Sequence, residues 1–390
     1  MSDTRKTTKP NVPNLRFPGF EGEWENKRIG DIGKFFSGGT PSSSRKDFYG
    51  GEIPFIRSGE IHSDKTELFL TQEGYKNSSA KMVEVGDILL ALYGANSGDI
   101  SISQMRGAIN QAILCIRTNV APVFFKSVWE KHAQKILNTY LQGGQGNLSA
   151  DIVKKITISI PSQIEQAKIA ALFSHLDERI SIQNKVIEDL KKLKTALEER
   201  MLGLCQGKQV RLRDILIERV EKSRINNQYE VLSSTVSGIY SQREYFNKEI
   251  ASADNTGYKA IHRGDVVLSP QNLWMGNINY NDRFEIGIVS PSYKVFSIDE
   301  KFDKGYIAFL LKTRKALWAY SLVSEQGASI VRRNLNYESF LEISFVIPSL
   351  KEQQATARRL SAFQQKQTME EAFLRSLLLQ KEFMLKSLFI

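Results

Sequence analysis

The chain repeats itself, and that constrains its fold more than any other feature. Arg28-Ile29-Gly30-Asp31-Ile32 returns as Arg211-Leu212-Arg213-Asp214-Ile215, 183 residues later. Val85-Gly86-Asp87-Ile88-Leu89-Leu90 returns as Arg263-Gly264-Asp265-Val266-Val267-Leu268 after 178, and at that shift Gly98-Asp99-Ile100 meets Gly276-Asn277-Ile278. At a shift of 187, Asn147-Leu148 meets Asn334-Leu335, and Ile160-Pro161-Ser162 with Glu165-Gln166 meets Ile347-Pro348-Ser349 with Glu352-Gln353. Matches in one order, with shifts that drift as loop insertions would make them, indicate a duplicated unit. The 390 residues suffice for two to four domains with their own cores. Cys115 and Cys205 cannot supply a disulfide framework or a four-thiolate zinc site.

Each copy reads in the same order. Short Ile, Leu, Val, Tyr and Phe runs predict strands at 87–93 and 112–116 in the first copy and at 265–268 and 293–298 in the second. A helix follows in each, near 123–140 and 304–322, with Trp129 and Trp318 read as packing it onto the sheet rather than stacking on a base. After each Ile-Pro-Ser comes a long helix, 163–202 and 350–390, with Ser162 and Ser349 placed to cap. Heptad spacing sets the seam: Phe173, Leu176, Ile180, Ile187, Leu190 and Leu197 in the first helix, and Leu360, Phe363, Leu374, Leu377, Met384 and Leu388 in the second. Lys194 and Lys381 occupy one seam position 187 residues apart. Ile182, Val186, Leu193, Phe373, Leu378, Leu379 and Phe383 exceed what a two-helix seam uses, so a lobe or another protein is expected to cover them.

The predicted architecture is α+β: two similar globular lobes of curved β-sheet with helices, separated by two long helices that form an antiparallel coiled coil with pseudo-twofold symmetry. The helices then act as a spacer of roughly 60 Å at about 1.5 Å per residue. The boundaries are 1–20 (tail), 21–160 (first lobe), 161–206 (first long helix), 207–347 (second lobe) and 348–390 (second long helix). The first dozen residues, polar and basic, are expected to be a disordered tail. With no signal-like run and no stretch of 18 apolar residues, a soluble intracellular chain without membrane association is expected.

Catalytic signatures are missing. Gly207-Lys208 lacks the Ser or Thr and the leading glycine of a phosphate-binding loop, and Gly144-Gln145-Gly146 has Ser149 where a dinucleotide fingerprint needs its third glycine. There is no Asn-Pro-Pro-aromatic tetrapeptide of an amino-methyltransferase and no nuclease core. His62, His132, His175 and His262 lack metal-ligand spacing, so no metal site is assigned.

Recognition chemistry remains. Lys plus Arg number 53 against 43 Asp plus Glu, a net charge of +10 that favours polyanions. In the first lobe, loops carrying Arg45, Lys46, Arg57, Ser58 and Asn96 are candidate DNA contacts. In the second lobe they are Arg243, Gln271, Asn272, Trp274, Asn277, Asn279, Arg332 and Arg333. Arg pairs with guanine and Asn or Gln with adenine, so such loops can read base edges as well as bind phosphate.

With two lobes separated by Ile-Pro-Ser-x-x-Glu-Gln helices, the chain resembles the specificity subunits of type I restriction-modification enzymes over essentially its whole length. Leu15-Arg16-Phe17-Pro18 with Trp24-Glu25, Ser37-Gly38-Gly39-Thr40-Pro41-Ser42, Ile56-Arg57-Ser58-Gly59 and Leu268-Ser269-Pro270-Gln271-Asn272-Leu273-Trp274 are similar to segments of that family. The resemblance implies a non-catalytic targeting subunit whose lobes are target recognition domains, each reading half of a bipartite, asymmetric double-stranded DNA site. It implies helices that dock two modification (methyltransferase) subunits carrying S-adenosylmethionine and acting on adenine. Restriction subunits using ATP and Mg would complete the nuclease, and the chain itself would bind no cofactor, in the cytoplasm of a bacterium or archaeon. The alternative is a coiled-coil scaffold that joins proteins without touching nucleic acid.

Overall fold

In the computed structural model, the described residues are 10–141, 147–203, 205–246, 254–326 and 332–390. Residues 1–9 of the expected tail, Gly144-Gln145-Gly146 and residues 327–331 of a candidate loop lie outside them. The described chain forms two compact units, Met1–Asn184 with Ala372–Ile390, and Lys185–Glu371. Each unit therefore takes part of both long helices, and the division does not follow the helix ends read from the sequence.

The first unit is built on a four-stranded antiparallel sheet in the order Gly33–Ser37, Ile113–Thr118, Ile88–Ala91, Ile100–Ile102. The second repeats it with Leu216–Glu218, Lys294–Ile298, Asp265–Leu268 and Ile278–Tyr280. A two-stranded ribbon also recurs, Glu25–Arg28 with Thr157–Ile160 and Lys208–Arg211 with Ser344–Ile347.

The repeated Gly-Asp has a physical cause. Gly86 and Gly264 turn with φ of +94° and +96°, open to glycine at little cost. Asp87 and Asp265 then accept the main-chain N–H of Glu84 and of His262, each at 2.8 Å. Each carboxylate also takes an arginine, Arg117 at 2.7 Å and Arg219 at 2.8 Å.

Outside this common frame the lobes differ. The first adds a mixed sheet, Phe69–Leu70, Tyr49–Ile56, Gly107–Ile109, Lys81–Val83, with one parallel pair. The second adds a hairpin, Leu232–Thr235 with Gly238–Ser241, and the pair Lys259–His262 with Ile286–Val289.

The longer helices are α1 (Pro122–Leu141), α2 (Gln163–Gly203), α3 (Lys304–Leu310), α4 (Arg314–Leu322) and α5 (Leu350–Leu388). The single helix expected over 304–322 is two. Thr313 caps α4 by accepting from Ala316 N at 3.2 Å, and the Tyr320 hydroxyl donates to Leu311 O at 3.2 Å inside the break. Trp129 is buried and donates to Gly98 O at 2.8 Å, as a core residue should. Trp318 corrects the reading of its counterpart, since it is 65% exposed on α4.

In the first unit α2 and α5 run antiparallel: Phe173 meets Phe389 with ring centroids 5.5 Å apart, and Asp177 meets Lys381 at 2.7 Å. In the second, Lys191 pairs with Glu371 at 3.6 Å and Lys194 donates to Gln364. All twelve seam residues are buried or half-buried. Ile169, Phe173, Leu176, Leu388 and Phe389 join the first lobe's core, while Leu202, Ala357 and Leu360 join the second's. The helix ends are thus lobe core as well as seam.

Lys126, Glu130, Asp177 and Lys381 close a ring of alternating charge, with contacts of 2.7 to 2.8 Å. Burial opposes ionisation of Asp177, but hydrogen bonds from Lys126 and Lys381 outweigh it and hold the carboxyl below the usual range.

The N-terminal segment corrects another expectation. From Pro10 on it packs on the first unit: Leu15 N donates to Ser387 O at 2.9 Å, and Arg16 makes a two-toothed pair with buried Glu165 at 2.7 and 2.8 Å. A charged pair of that geometry fixes what composition alone reads as tail.

Candidate nucleic-acid interface

Each lobe is fastened to its long helix by the repeated glutamine. Gln166 accepts from Ala121 N at 3.2 Å and donates to Pro161 O at 2.9 Å. Gln353 accepts from Asp303 N and donates to Pro348 O, both at 2.9 Å. The preceding serines cap as expected, Ser162 toward Glu165 N at 3.3 Å and Ser349 toward Glu352 N at 3.4 Å. Glu352 completes a capping box by accepting from Ser349 N at 3.1 Å, whereas its counterpart Glu165 is taken by Arg16. Loops carried on this frame hold the candidate contacts.

In the first lobe Arg45 and Lys46 are exposed at the turn Lys46–Phe48. Arg45 lies 4.3 Å over the Phe48 ring and pairs with Asp47 at 2.5 Å. Arg57 and Ser58 open the turn Ser58–Glu60, and the Asn96 amide nitrogen comes within 3.6 Å of where a Gly59 side chain would begin. The turn and the 94–97 loop are therefore neighbours. Arg57 is engaged, pairing with Glu60 at 2.8 Å and lying 3.6 Å from Glu67. Its hydrogen bonds hold the Glu60 carboxyl down at about 2.

In the second lobe Gln271, Asn272, Trp274 and Arg333 come together. Arg333 N donates to Gln271 O at 3.1 Å, and the Arg333 guanidinium carbon sits 4.2 Å over the Trp274 ring. Trp274 is carried on the turn Leu273–Met275, closed by Gly276 at φ +89°, where a side chain would strike Leu317. Arg332 is exposed beside Arg333. Arg243 is exposed on the short helix Gln242–Phe246.

Asn277 and Asn279 are corrections. They are 4% and 5% exposed. Asn277 accepts from the Ser234 hydroxyl at 2.7 Å and donates to Ser234 O at 2.9 Å, while Asn279 donates to Thr235 O at 2.7 Å. They bind the hairpin to the sheet and present no free edge to a base.

The sequence reading missed the outer face of α4. Arg314, Trp318 and Leu322, spaced four apart, are all exposed, and Trp318 and Leu322 each reach 65%. The spacing was visible in the sequence; the exposure was not. Among the described residues no group of three or more His, Cys, Asp or Glu is placed to hold a metal ion. No helix among them is long and apolar enough to cross a membrane.

A twice-built α+β lobe with loops mixing cationic, amide and aromatic side chains defines the class, and comparison with known proteins finds similar chains. Residues 21–192 match the sequence model for the type I restriction modification DNA specificity domain. The MjaIX specificity subunit of Methanocaldococcus jannaschii is 29% identical over 185 residues, 44% of this chain and 42% of that protein, so the chain spans less than half of that relative's length. The MjaVIII specificity subunit of the same organism is 22% identical over 381 residues, 87% of this chain and 86% of its own. The crystal structure of a type I restriction-modification S subunit from M. genitalium shares the fold with a TM-score of 0.63 at 16% identity, covering 97% of this chain and 99% of that one. Over residues 21–192 the chain is thus similar to the type I restriction modification DNA specificity domain, and over nearly its whole length it shares the fold of an S subunit.

Proposed function

We propose that the chain selects the DNA sequence on which a type I restriction-modification enzyme acts, each lobe reading one half of a bipartite site. The observation that carries this reading is the pairing of one sheet order, used twice, with two different outer sheets and loop sets. A shared frame presents two probes of different chemistry, as an asymmetric site requires. Arg45, Lys46, Ser58 and Asn96 in the first lobe, and Gln271, Asn272, Trp274, Arg332 and Arg333 in the second, are the proposed contacts, with Arg57 and Arg243 as further cations. Phosphate contacts would set affinity and base-edge contacts would set sequence.

The exposed apolar residues of α2 and α5, among them Ile182, Leu193, Phe373, Leu379 and Phe383, are proposed to take the methyltransferase subunits. S-adenosylmethionine would belong to those subunits, and ATP and Mg to restriction subunits. The complex would work in the cytoplasm, where its DNA lies.

The test is to co-express the chain with its modification subunit and map methylated adenines across a genome. Methylation confined to one split sequence is the expected result. Assembly without any site preference would instead favour a scaffold that joins proteins.

A further inference from the structure

We infer that Arg333, held on Trp274, reads a guanine edge in the half-site taken by the second lobe; this rests on the reading above that the lobe binds duplex DNA. Most guanidinium groups near the candidate loops are already neutralised. Arg45 is paired with Asp47, Arg57 with Glu60 and Arg283 with Glu244. To reach a base, each would first give up its carboxylate. Among the described residues Arg333 has no carboxylate within ion-pairing distance, and its guanidinium carbon lies 4.2 Å over the indole ring.

Its position is nonetheless fixed. Its main-chain N–H is bonded to Gln271 O, and the strand Arg333–Leu335 pairs with Ser324–Gln326. The Nε–H is buried and has no hydrogen-bond partner. Stacking removes most of the rotational freedom of a long side chain before any ligand arrives, so less is lost on binding. With one face on the indole and Nε buried in a half-buried residue, the pair of terminal nitrogens is the edge left to meet a ligand. That edge offers donors only. Guanine presents two acceptors, O6 and N7, in the major groove, whereas adenine presents one acceptor beside an amino donor that would oppose the arginine. A phosphate also presents two acceptors, and the experiment separates the two.

The full chain is assembled with its methyltransferase subunit and its methylated sequence is mapped. Binding is then measured on a duplex carrying that site and on duplexes with each base pair of the second lobe's half replaced in turn. Arg333→Ala and Arg333→Lys should each lose discrimination at a single G·C pair by roughly tenfold to a hundredfold. Recognition of the other half-site should stay intact, which shows the variant is folded. Trp274→Phe, which keeps a ring under the guanidinium, should retain the guanine preference, and Trp274→Leu should weaken it. Unchanged discrimination in both Arg333 variants would overturn the assignment. So would an equal loss on every duplex with a salt slope smaller by about one, the mark of a phosphate contact. A wild-type complex that binds all duplexes alike would remove the DNA-reading function itself, a result distinct from either.

Discussion

An amide can pair with a base only while its own donors and acceptor are unsatisfied within the protein. Asn277 has both sides of its amide engaged by Ser234, and buried Asn279 donates to Ser234 and Thr235, while Gln271, a few residues earlier, is exposed. The three are alike as sequence: polar amides in one loop-rich stretch. The pairing of Asp265–Leu268 with Ile278–Tyr280 separates them, and that registry is a tertiary fact no single amide announces. Asn277→Ala should therefore lower stability by about 1–3 kcal/mol, because it strands buried partners, and leave the DNA sequence preference unchanged. Chemical denaturation alongside methylation mapping checks both. Arg57 was legible as a loop cation but not as an ion-paired one. In Arg57→Ala the Glu60 carboxyl should rise from about 2 toward the ordinary carboxylate range, followed by a pH titration in the nuclear magnetic resonance spectrum.

At the scale of helices, the heptad made the seam legible, including the Lys shared by both copies. Asp177 and Gln364, the partners of Lys381 and Lys194, are themselves 187 residues apart, so the duplication extends to the pairing. What the heptad could not show is that Lys126 and Glu130 reach in from α1 to close the charged ring, since that depends on how the lobe seats on the helix. Lys381→Met leaves two half-buried carboxylates to one cation and should cost about 1–3 kcal/mol in unfolding free energy. The ring also has a pH signature. Asp177 titrates lower when folded than unfolded, so its contribution is complete above about pH 4, the unfolded value, and is lost as pH falls through the folded one. The difference in stability between wild type and Asp177→Asn should shrink on acidification below that point. Leu377→Asp, at a buried position, should destabilise more than Leu190→Asp, at a half-buried one, in thermal melts.

For the molecule as a whole, duplication was legible because the fastenings, the Gly-Asp turns and the helix starts all keep their order. The lobes' outer sheets were not, since they share no sequence with one another. The basic surplus predicts that affinity of the assembled complex for its site falls linearly with salt on logarithmic axes. If six or more phosphates are neutralised, the loss between 50 and 200 mM should be about a thousandfold or more. A fluorescence-anisotropy titration over that range checks it; a flat profile would mean that phosphate neutralisation contributes little.

The glutamine fastenings bear on how freely the lobes can vary. Gln166 and Gln353 grip peptide amides and carbonyls, at Ala121 and Pro161 and at Asp303 and Pro348, groups that nearly every residue supplies. Proline alone, lacking the N–H, is barred from positions 121 and 303. Drift in the outer sheets therefore leaves the attachment undisturbed, and the freedom of the lobes to vary is built into the joint.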